Sequence, residues 1–204
     1  MALISQKPIE GNFYEYKSPL LFETLARINQ AEFYHLLDIG SANSSSIEFL
    51  NDYQCKIHIC HCIDDLLNLT LEDLNTPNKL NRAFVKALGL YKNHNNKIGI
   101  IMLWDLPNYL QPEILQGLIK FLMQHIHDKA IIHTYIHTTR LMPAIPGNYA
   151  IEKSGKVAMQ NNLDSSTDCP AYYQEELHKH MSPFRVRRSV LQANGIQEYL
   201  LSIN

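Results

Sequence analysis

The amino-acid sequence predicts an α/β domain: a doubly wound, mostly parallel sheet followed by a C-terminal antiparallel β-hairpin. Three observations lead to this prediction. Helix patterns alternate with short apolar runs along the chain, and these runs are almost continuously hydrophobic, as strands buried on both faces are. Near the C-terminus, Asn194-Gly195 separates two further apolar segments, which is the strongest short-range signal for a hairpin. Strand–helix alternation implies parallel strands joined by right-handed crossovers.

Length and composition narrow the classes of function. The 204 residues are 46% hydrophobic and 19% charged, which suits one full-sized core, so we expect a single domain over residues 1–204. The formal charge of −2 provides no basic field, and we expect no nucleic-acid partner. Apolar runs are too short for membrane insertion, no secretory signal is recognisable, and three of four cysteines crowd together, so we expect reduced thiols and a cytoplasmic location.

The first half of the chain predicts two strands and three helices. Ser18-Pro19 looks like an N-cap followed by proline at the first helical position, and it opens a helix to about residue 29 after an N-terminal arm of residues 1–17. The same cap-and-proline pattern recurs at Thr76-Pro77 and starts a helix to about residue 91. Between them, the pattern predicts strands at residues 33–39 and 55–63 and a helix at residues 44–52.

The second half begins with the most hydrophobic strand, residues 98–104, which we expect at the sheet centre. A helix from residue 112 to about 126 and a strand at residues 129–138 follow. The stretch 139–170 is rich in proline, glycine and polar residues and predicts a long irregular loop. A helix at 171–181 precedes strands at 184–191 and 196–203, and both residues of the Asn194-Gly195 turn are expected at positive φ. No strand pattern is found between residues 66 and 76.

Three segments carry a resemblance to a known family. Asp38-Ile39-Gly40 places an acidic residue before a glycine turn where the first predicted parallel strand meets the following helix. The segment WDLPNYL (104–110) ends the central strand, and RRSVLQANGIQEYLL (187–201) forms the closing hairpin. From about residue 33 onwards this layout resembles class I S-adenosylmethionine-dependent methyltransferases, which have a Rossmann-like sheet. The same segments resemble a poorly characterised gammaproteobacterial group of proteins.

The resemblance implies roles for particular residues. Asp38 would support the methionine end of S-adenosylmethionine, and Gly40 and Ser41 would line the turn. Asp64 or Asp65 would stand in for the acid that normally binds the ribose hydroxyls. Asp105 and Tyr109 would face the transferring methyl group. The alternative is that Asp105 caps the next turn and that Asn108 and Tyr109 only pack. On the interpretation that the resemblance implies, the chain is an active methyltransferase acting on a small molecule or a protein. Catalysis then depends on holding the methyl donor and the acceptor close together in the right orientation.

Departures from the family pattern favour a different function. Ala42 and Ser44 stand where the family has further glycines, and their side chains partly fill space that a ligand needs. His61 stands where the family has the ribose-binding carboxylate, and an imidazole cannot replace a two-oxygen acceptor. We therefore expect an eroded site with no cofactor, in a non-catalytic adaptor that binds another cytosolic protein. The competing interpretation of Asp38 and Gly40 is a plain strand-to-helix turn.

Two further clusters invite chemical hypotheses. The segment CKIHICHC (55–62) suggests zinc, but a strand alternates its side chains and C-x₂-C spacing is absent, so buried thiols and no metal are expected. His133, Tyr135 and His137 share one face of a strand. His137 is a candidate general base, and the alternative is that both histidines are hydrogen-bonded core or rim residues.

The basic residues near the C-terminus have two interpretations. Arg185, Arg187 and Arg188, together with Arg140, either prevent unwanted pairing at a sheet edge or form a docking surface for an acidic partner. The glycine turn lacks the G-K-[ST] of a Walker loop, and the chain contains no G-x-S-x-G elbow, so phosphate-loop and serine-hydrolase functions lack their defining motifs.

Overall fold

A computed structural model describes residues 13–26, 28, 34–70, 77–90, 97–160, 165–170, 172 and 174–203. The helices are α1 (Pro19–Ala26), α2 (Ser44–Leu50), α3 (Ile63–Leu67), α4 (Pro77–Leu88), α5 (Pro112–Leu122) and α6 (Gln174–His180), with one 3₁₀ turn at Leu106–Asn108. The strands are β1 (Phe13–Tyr16), β2 (Tyr34–Asp38), β3 (Cys55–Ile59), β4 (Ile98–Trp104), β5 (Ile126–His137), β6 (Leu141–Pro143), β7 (Asn148–Glu152), β8 (Lys156–Gln160), β9 (Ser166–Asp168), β10 (Arg185–Leu191) and β11 (Ile196–Ser202).

The main sheet has six strands in the order β10-β11-β5-β4-β2-β3. The three pairings among β3, β2, β4 and β5 are parallel, whereas β11 pairs antiparallel with both β5 and β10. Two small antiparallel sheets, β1-β8-β7 and β6-β9, lie outside it. An α/β fold with a mixed sheet is therefore present, and the expected parallel character belongs to the β3-to-β5 part of the main sheet.

Both faces of the main sheet are covered. Alternate strand residues divide between two clusters of buried side chains, because successive side chains of a strand point to opposite faces. One cluster packs strand residues such as Leu37 and Ile101 against α4, α5 and α6. The other packs Leu36 and Ile100 against α1, α2, β7 and β8. All seven residues of β4 are buried, which confirms its predicted central place.

The stretch 139–170 corrects a prediction. It was expected to be an irregular loop, but β6, β7, β8 and β9 lie within it. Its central part is a hairpin in which β7 and β8 pair from Asn148↔Gln160 to Glu152↔Lys156. Gly155 adopts φ 76° in the intervening turn. β7 and β8 were not predicted because each buries only three residues within a segment rich in polar residues and proline. The buried residues are Tyr149–Ile151 and Val157–Met159.

The N-terminal segment also differs from expectation. Within the predicted arm of residues 1–17, Phe13–Tyr16 forms β1 and pairs antiparallel with β8, from Phe13↔Gln160 to Tyr16↔Val157. Residues 1–12 of the arm lie outside the described residues, as do Thr76 and Tyr91. A short segment rich in aromatic residues can add to a small sheet that has a free edge, and the local sequence pattern does not reveal such an edge.

Two boundaries were predicted too far along the chain. The second parallel strand was expected to reach residue 63, but β3 ends at Ile59 and α3 begins at Ile63. Asp64 and Asp65 occupy the first turn of α3, where acidic side chains favour a helix start. The helix predicted to extend to residue 126 ends at Leu122, and Ile126 already belongs to β5. Between β3 and β4 the described residues contain no further strand.

The C-terminal hairpin forms as predicted, but its turn has a different geometry. Gly195 has φ 78°, whereas Asn194 is not at positive φ. The Gly195 amide donates to the Gln192 carbonyl at 3.1 Å, so Ala193 and Asn194 occupy the centre of the turn. This arrangement is a longer loop with glycine in the left-handed position after the turn, instead of a two-residue hairpin.

No helix in the part of the chain that the structure describes has the length and apolar character needed to cross a membrane.

Candidate functional site

The strand order identifies the edge of the sheet where ligands bind in open α/β folds. The chain runs from β2 to β3 on one side and then returns to β4 on the other side of β2. The carboxyl ends of β2 and β4 therefore form the topological switch point, outside which such folds bind their ligands. Asp38 ends β2 and Trp104 ends β4, and both side chains are about 3% exposed. We call this position the switch-point crevice.

Asp38 and Trp104 are joined across the switch-point crevice. The indole Nε1 of Trp104 donates to Asp38 Oδ1 at 2.6 Å. Burial raises the pKa of the Asp38 carboxyl to about 6, and the hydrogen bond from Trp104 partly opposes this effect. One carboxylate oxygen of Asp38 is thus already used by the chain's own side chain.

Gly40 lies directly against the same indole. A Cβ atom at Gly40 would stand 2.9 Å from Trp104 Nε1 and 3.0 Å from Asp38 Oδ1. Glycine fits here without strain, because any Cβ would force the neighbouring indole or carboxylate to shift. In this turn, the Trp104 side chain lies in the space that a Cβ on residue 40 would need.

Trp104 has an unusual backbone conformation and packs against two tyrosine rings. Its φ is 50°, the left-handed region that bulky residues rarely adopt. The indole stacks on the ring of Tyr149 at 4.9 Å between centroids with an angle of 2° between planes. Tyr135 lies on the same cluster at 6.1 Å. Backbone strain of this kind persists only where the surrounding structure holds it.

Tyr149 reaches this cluster because β7 is fastened to the edge of the sheet. The backbone amide of Gly147 donates to Asp105 Oδ2 at 3.1 Å, and Asp105 is about 1% exposed. The amide of Ile151 donates to Ser46 Oγ at 2.8 Å, which ties β7 to α2. Asp105 therefore holds the chain segment that carries Tyr149, a role that the sequence did not reveal.

The WDLPNYL segment has a structural role through Asn108. Its Nδ2 donates to the carbonyls of Asp105 at 2.8 Å and Tyr135 at 3.0 Å. Its Oδ1 accepts from the backbone amide of His137 at 3.0 Å. The buried amide thus fixes the end of β4 against β5. Tyr109 follows it, and burial, with the nearby Asp105 carboxylate, raises the pKa of the Tyr109 phenol far above its usual value.

The remaining predicted cofactor residues lie around the switch-point crevice without contacting its centre. Ser41 is half-buried, and Asp64 and Asp65 are exposed on α3. Among the described residues, neither aspartate forms a hydrogen bond or ion pair with Asp38. His61 is exposed at the end of β3, where the resemblance implied a carboxylate. The structure thus joins Asp38, Gly40 and Trp104, and it leaves the predicted ribose-binding position to exposed side chains.

A buried polar cluster between β5, β11 and α1 escaped the sequence analysis. Glu198 Oε1 accepts hydrogen bonds from Ser18 Oγ at 2.5 Å and from the amide of Leu21 at 2.9 Å, and it lies 2.8 Å from His133 Nε2. Burial raises the pKa of Glu198, but the His133 contact and the other donors outweigh it, so the net pKa is lowered. Ser18 was predicted to cap α1 with its own side chain, but the Glu198 carboxylate caps the helix instead. The sequence signal for this cluster was Glu198 itself, a charged residue within the otherwise mostly apolar strand β11.

The histidines and cysteines are held by local contacts. His133 belongs to the Glu198 cluster, as the hydrogen-bonded alternative expected. Cys60 Sγ donates to the Leu88 carbonyl, and burial raises the pKa of the Cys60 thiol to about 11. Within the described ranges, no group of three or more His, Cys, Asp or Glu side chains is arranged to hold a metal ion. The cysteines there are free thiols.

An open cleft of about 630 Å³ lies at the same edge of the sheet, two strands away from β2. We call it the β5 cleft, because it begins at the carboxyl end of β5. Its walls include His137, Arg140, Asp168, Cys169, Tyr172 and Tyr199. His137 Nε2 lies 3.5 Å from the buried Asp105 Oδ2, so one aspartate connects the two positions.

The basic residues near the C-terminus do not form one patch. Arg188 pairs with Glu23 of α1. Arg185 and Arg187 are exposed on β10, which is an edge strand of the main sheet. Arg140 lines the β5 cleft. A register shift between Val186 and Arg188 interrupts the pairing of β10 with β11, a feature that protects edge strands.

Comparisons with known proteins identify the fold. No protein-family model matches the chain, and no curated protein is similar to it. An S-adenosylmethionine-dependent methyltransferase from Clostridium acetobutylicum ATCC 824 superposes with TM-score 0.51 and 14% identity, over 91% of this chain and 90% of that one. The glycopeptide N-methyltransferase MtfA, in complex with S-adenosyl-L-homocysteine, gives TM-score 0.50 and 8% identity, over 92% and 90%.

The pyocyanin biosynthetic protein PhzM matches with TM-score 0.46 and 11% identity over 91% of this chain, which spans 55% of PhzM. The two larger TM-scores show that the chain has a class I S-adenosylmethionine-dependent methyltransferase-like fold. The expected fold family is thereby confirmed. Function has to be argued from the site itself, because one fold can carry many functions.

Proposed function

We propose that this chain is a non-catalytic methyltransferase-like adaptor, which works in the cytoplasm by binding another protein. The observation that carries the proposal is the Trp104 indole, which lies against Gly40, binds Asp38 and stacks on Tyr149. Side chains of the chain itself thus take the place that a nucleoside cofactor would need at the switch point.

The arrangement does not fit S-adenosylmethionine. A cofactor lying along the glycine turn would need the surface of Gly40, and Trp104 Nε1 is 2.9 Å from the position of a Cβ there. It would also compete with the indole for the Asp38 carboxylate. Trp104 and Tyr149 are each about 3% exposed, so neither is a surface side chain that can swing into solvent at low cost.

The segment covering the switch-point crevice is anchored. Gly147 is hydrogen-bonded to Asp105, and Ile151 to Ser46. Ser45 Oγ of α2 also donates to Glu152 Oε1 at 3.1 Å. Removing β7 from the sheet edge would break these bonds and expose Tyr149, which makes opening unfavourable. This supports a scaffold in which the crevice stays filled.

A protein partner is suggested by the exposed face of β10. Arg185 and Arg187 project from this edge strand, and no hydrogen bond or ion pair joins either of them to another described residue. Leu191 at its end is about 63% exposed. Arginine is enriched in protein interfaces, and an apolar side chain beside it adds area that association would bury.

Cofactor binding is the direct test. We expect isothermal titration calorimetry of the full chain with S-adenosylmethionine and S-adenosylhomocysteine to give no saturable heat. Thermal unfolding should show no shift with either compound, since a ligand that binds the native state raises its stability. Micromolar binding of either compound would contradict the filled-crevice part of the proposal.

The partner is tested separately. A photo-crosslinking amino acid at position 187 on β10 should capture one protein in living cells. The same amino acid at Lys120, an exposed residue on α5, is the matched control. A discrete adduct from position 187, reproduced with the purified proteins and reduced by Arg185→Glu, supports the adaptor role. Equal or absent capture from both positions overturns it.

An active methyltransferase is the second candidate, favoured by His137 beside the buried Asp105 at a cleft on the same edge. A carboxylate next to an imidazole is the arrangement that orients a general base. This candidate requires Trp104 and Tyr149 to leave the crevice. Methyl transfer from S-adenosylmethionine to any acceptor by the wild-type chain, lost in His137→Gln, would establish it.

A further inference from the structure

The β5 cleft has the size and the lining of a small-molecule site. Its volume of about 630 Å³ falls inside the range of roughly 300–1,000 Å³ that ligand clefts span. It also lies at the carboxyl edge of the sheet, the edge on which open α/β folds bind their ligands, two strands from the switch point. Unlike the switch-point crevice, this space is left open by the side chains around it.

Two opposite charges line the β5 cleft. Arg140 and Asp168 are both exposed, and neither makes a hydrogen bond through its side chain or an ion pair within the described part of the chain. They lie on neighbouring segments, because Leu141 pairs with Asp168 and the Cys169 amide donates to the Arg140 carbonyl at 2.9 Å. A guanidinium binds a carboxylate in two parallel hydrogen bonds, and a carboxylate accepts from an ammonium group. The lining therefore suits a ligand with both charges rather than a polyanion.

Aromatic rings form another part of the wall. Tyr172 and Tyr199 are about 9% and 5% exposed and both contribute to the cleft. The Tyr172 hydroxyl donates to the Leu110 carbonyl at 3.3 Å, so its hydroxyl hydrogen is used within the protein. Burial raises the pKa of both phenols and keeps them neutral. Neutral aromatic rings favour contact with another ring.

The thiol in the β5 cleft is not an activated nucleophile. Cys169 Sγ donates to the His137 carbonyl at 3.3 Å, and burial raises the pKa of the thiol. A protonated thiol engaged with a backbone oxygen lacks the thiolate that nucleophilic catalysis needs. The groups in this cleft are therefore arranged for binding.

We propose that the β5 cleft binds a zwitterionic small molecule with an aromatic ring, namely an aromatic amino acid or a dipeptide of aromatic residues. Arg140 binds the carboxylate, Asp168 binds the ammonium group, and the ring packs on Tyr172 and Tyr199. Gln174 and Gln197, which also line the cleft, supply amide groups that both donate and accept. This ligand site goes beyond the proposed adaptor function and does not depend on it.

The test uses saturation-transfer NMR and calorimetry on the full chain. The probes are L-phenylalanine, L-tyrosine, L-tryptophan and the dipeptide Phe-Phe, each compared with its C-terminal amide and its N-acetyl form. L-alanine, which has both charges but no aromatic ring, tests whether the ring contributes to binding. We expect saturable binding of at least one probe and at least a tenfold loss with each modified form. If alanine binds as well as the aromatic probes, or if no probe binds, the proposal is wrong.

Variants locate the binding. Arg140→Gln and Asp168→Asn should each weaken the best probe at least tenfold, while Arg187→Gln on β10 should leave it unchanged. Because these side chains are exposed, the variants should fold, and thermal unfolding checks this. If N-acetyl probes bind as tightly as free ones and Asp168→Asn has no effect, the cleft takes a peptide C-terminus and the zwitterion proposal is overturned. Partner capture from position 187 reports on the adaptor function independently.

Discussion

The two positions along the carboxyl edge of the main sheet differ in what fills them. At the switch-point crevice, Trp104 and Tyr149 stack on each other, and the indole lies against Gly40. Two strands away, the β5 cleft remains open, although the same segment, residues 139–170, contributes to both. The sheet offers equivalent strand ends at both positions, so the side chains that follow each strand decide which one stays available.

One buried carboxylate connects the two positions. Asp105 accepts from the Gly147 amide on the side of the filled crevice and lies 3.5 Å from His137 Nε2 on the side of the open cleft. A residue predicted to face a methyl group thus holds the covering segment in place. The comparison shows that an acidic residue at a strand end can hold a neighbouring chain segment in place as well as bind a ligand.

Removing the indole should have the largest effect. Trp104→Ala is expected to lower the free energy of unfolding by about 3–5 kcal/mol, the usual cost of deleting a buried tryptophan. Urea denaturation followed by circular dichroism measures the change. Trp104→Phe keeps a ring against Tyr149 and should lose less. A cost below about 1 kcal/mol for the alanine variant would show that the crevice is not filled as described.

The charge on Asp38 should give the next largest effect. Its pKa is about 6 in the folded chain against 3.8 as the ordinary value, a difference of about 2.2 that corresponds to roughly 3 kcal/mol. Because the folded pKa is raised, this stability is fully present below pH 3.8 and is lost as pH rises through 6.

Asp38→Asn removes this pH dependence and can still accept from Trp104. Relative to wild type, the variant should gain up to about 3 kcal/mol between pH 4 and pH 7. Denaturation at a series of pH values measures the difference, and Asp64→Asn, at an exposed aspartate, is the control. A constant difference across this range would mean that the folded pKa of Asp38 is not raised.

A methyl group at the glycine turn should have an intermediate effect. Gly40→Ala places a Cβ 2.9 Å from Trp104 Nε1, so the indole must shift, and we expect a loss of about 1–3 kcal/mol, typical of overpacking. The emission spectrum of Trp104, the single tryptophan, should shift as its packing changes. Ser41→Ala next to it should cost less than about 0.5 kcal/mol. Equal effects of both variants would contradict the close contact.

Substitution of an exposed residue in the β5 cleft should have the smallest effect on stability. Arg140→Gln is expected to alter the free energy of unfolding by less than about 0.5 kcal/mol, because the side chain is exposed and is unpaired within the described residues. Arg187→Gln is the matched control, and thermal unfolding compares the two. A large loss with Arg140→Gln alone would show that this arginine supports the fold, and the contrast between the two positions would weaken.

Much of the fold could be predicted from local patterns. The strand at 98–104 was predicted with its observed bounds, because a fully buried central strand has an uninterrupted apolar sequence. The hairpin after residue 184 followed from its turn residues. Strands β7 and β8 of the 139–170 segment were missed because each buries only three residues, in a sheet whose third member, β1, lies far away in sequence. Local periodicity contains no information about such pairings.

The candidate site was predicted in part. Asp38 and Gly40 do lie at the switch point, since strand order and a glycine turn are properties of the sequence pattern. Ala42 and Ser44, the residues expected to obstruct a ligand, are both exposed, and their effect on ligand binding stays a prediction. The contact between Tyr149 and Trp104 was not predicted, because 45 residues separate them in the sequence and only packing brings the two rings together.

The sequence by itself determined the class of fold, the central strand and the position of the glycine turn. These features follow from hydrophobic periodicity and from residues with restricted backbone preferences, which act over short distances along the chain. Only the tertiary structure decided that Glu198 caps α1, that Asp105 holds β7, and that Tyr149 stacks on Trp104 while the β5 cleft is open. These contacts join residues far apart in sequence, so they exist only once the layers have packed together.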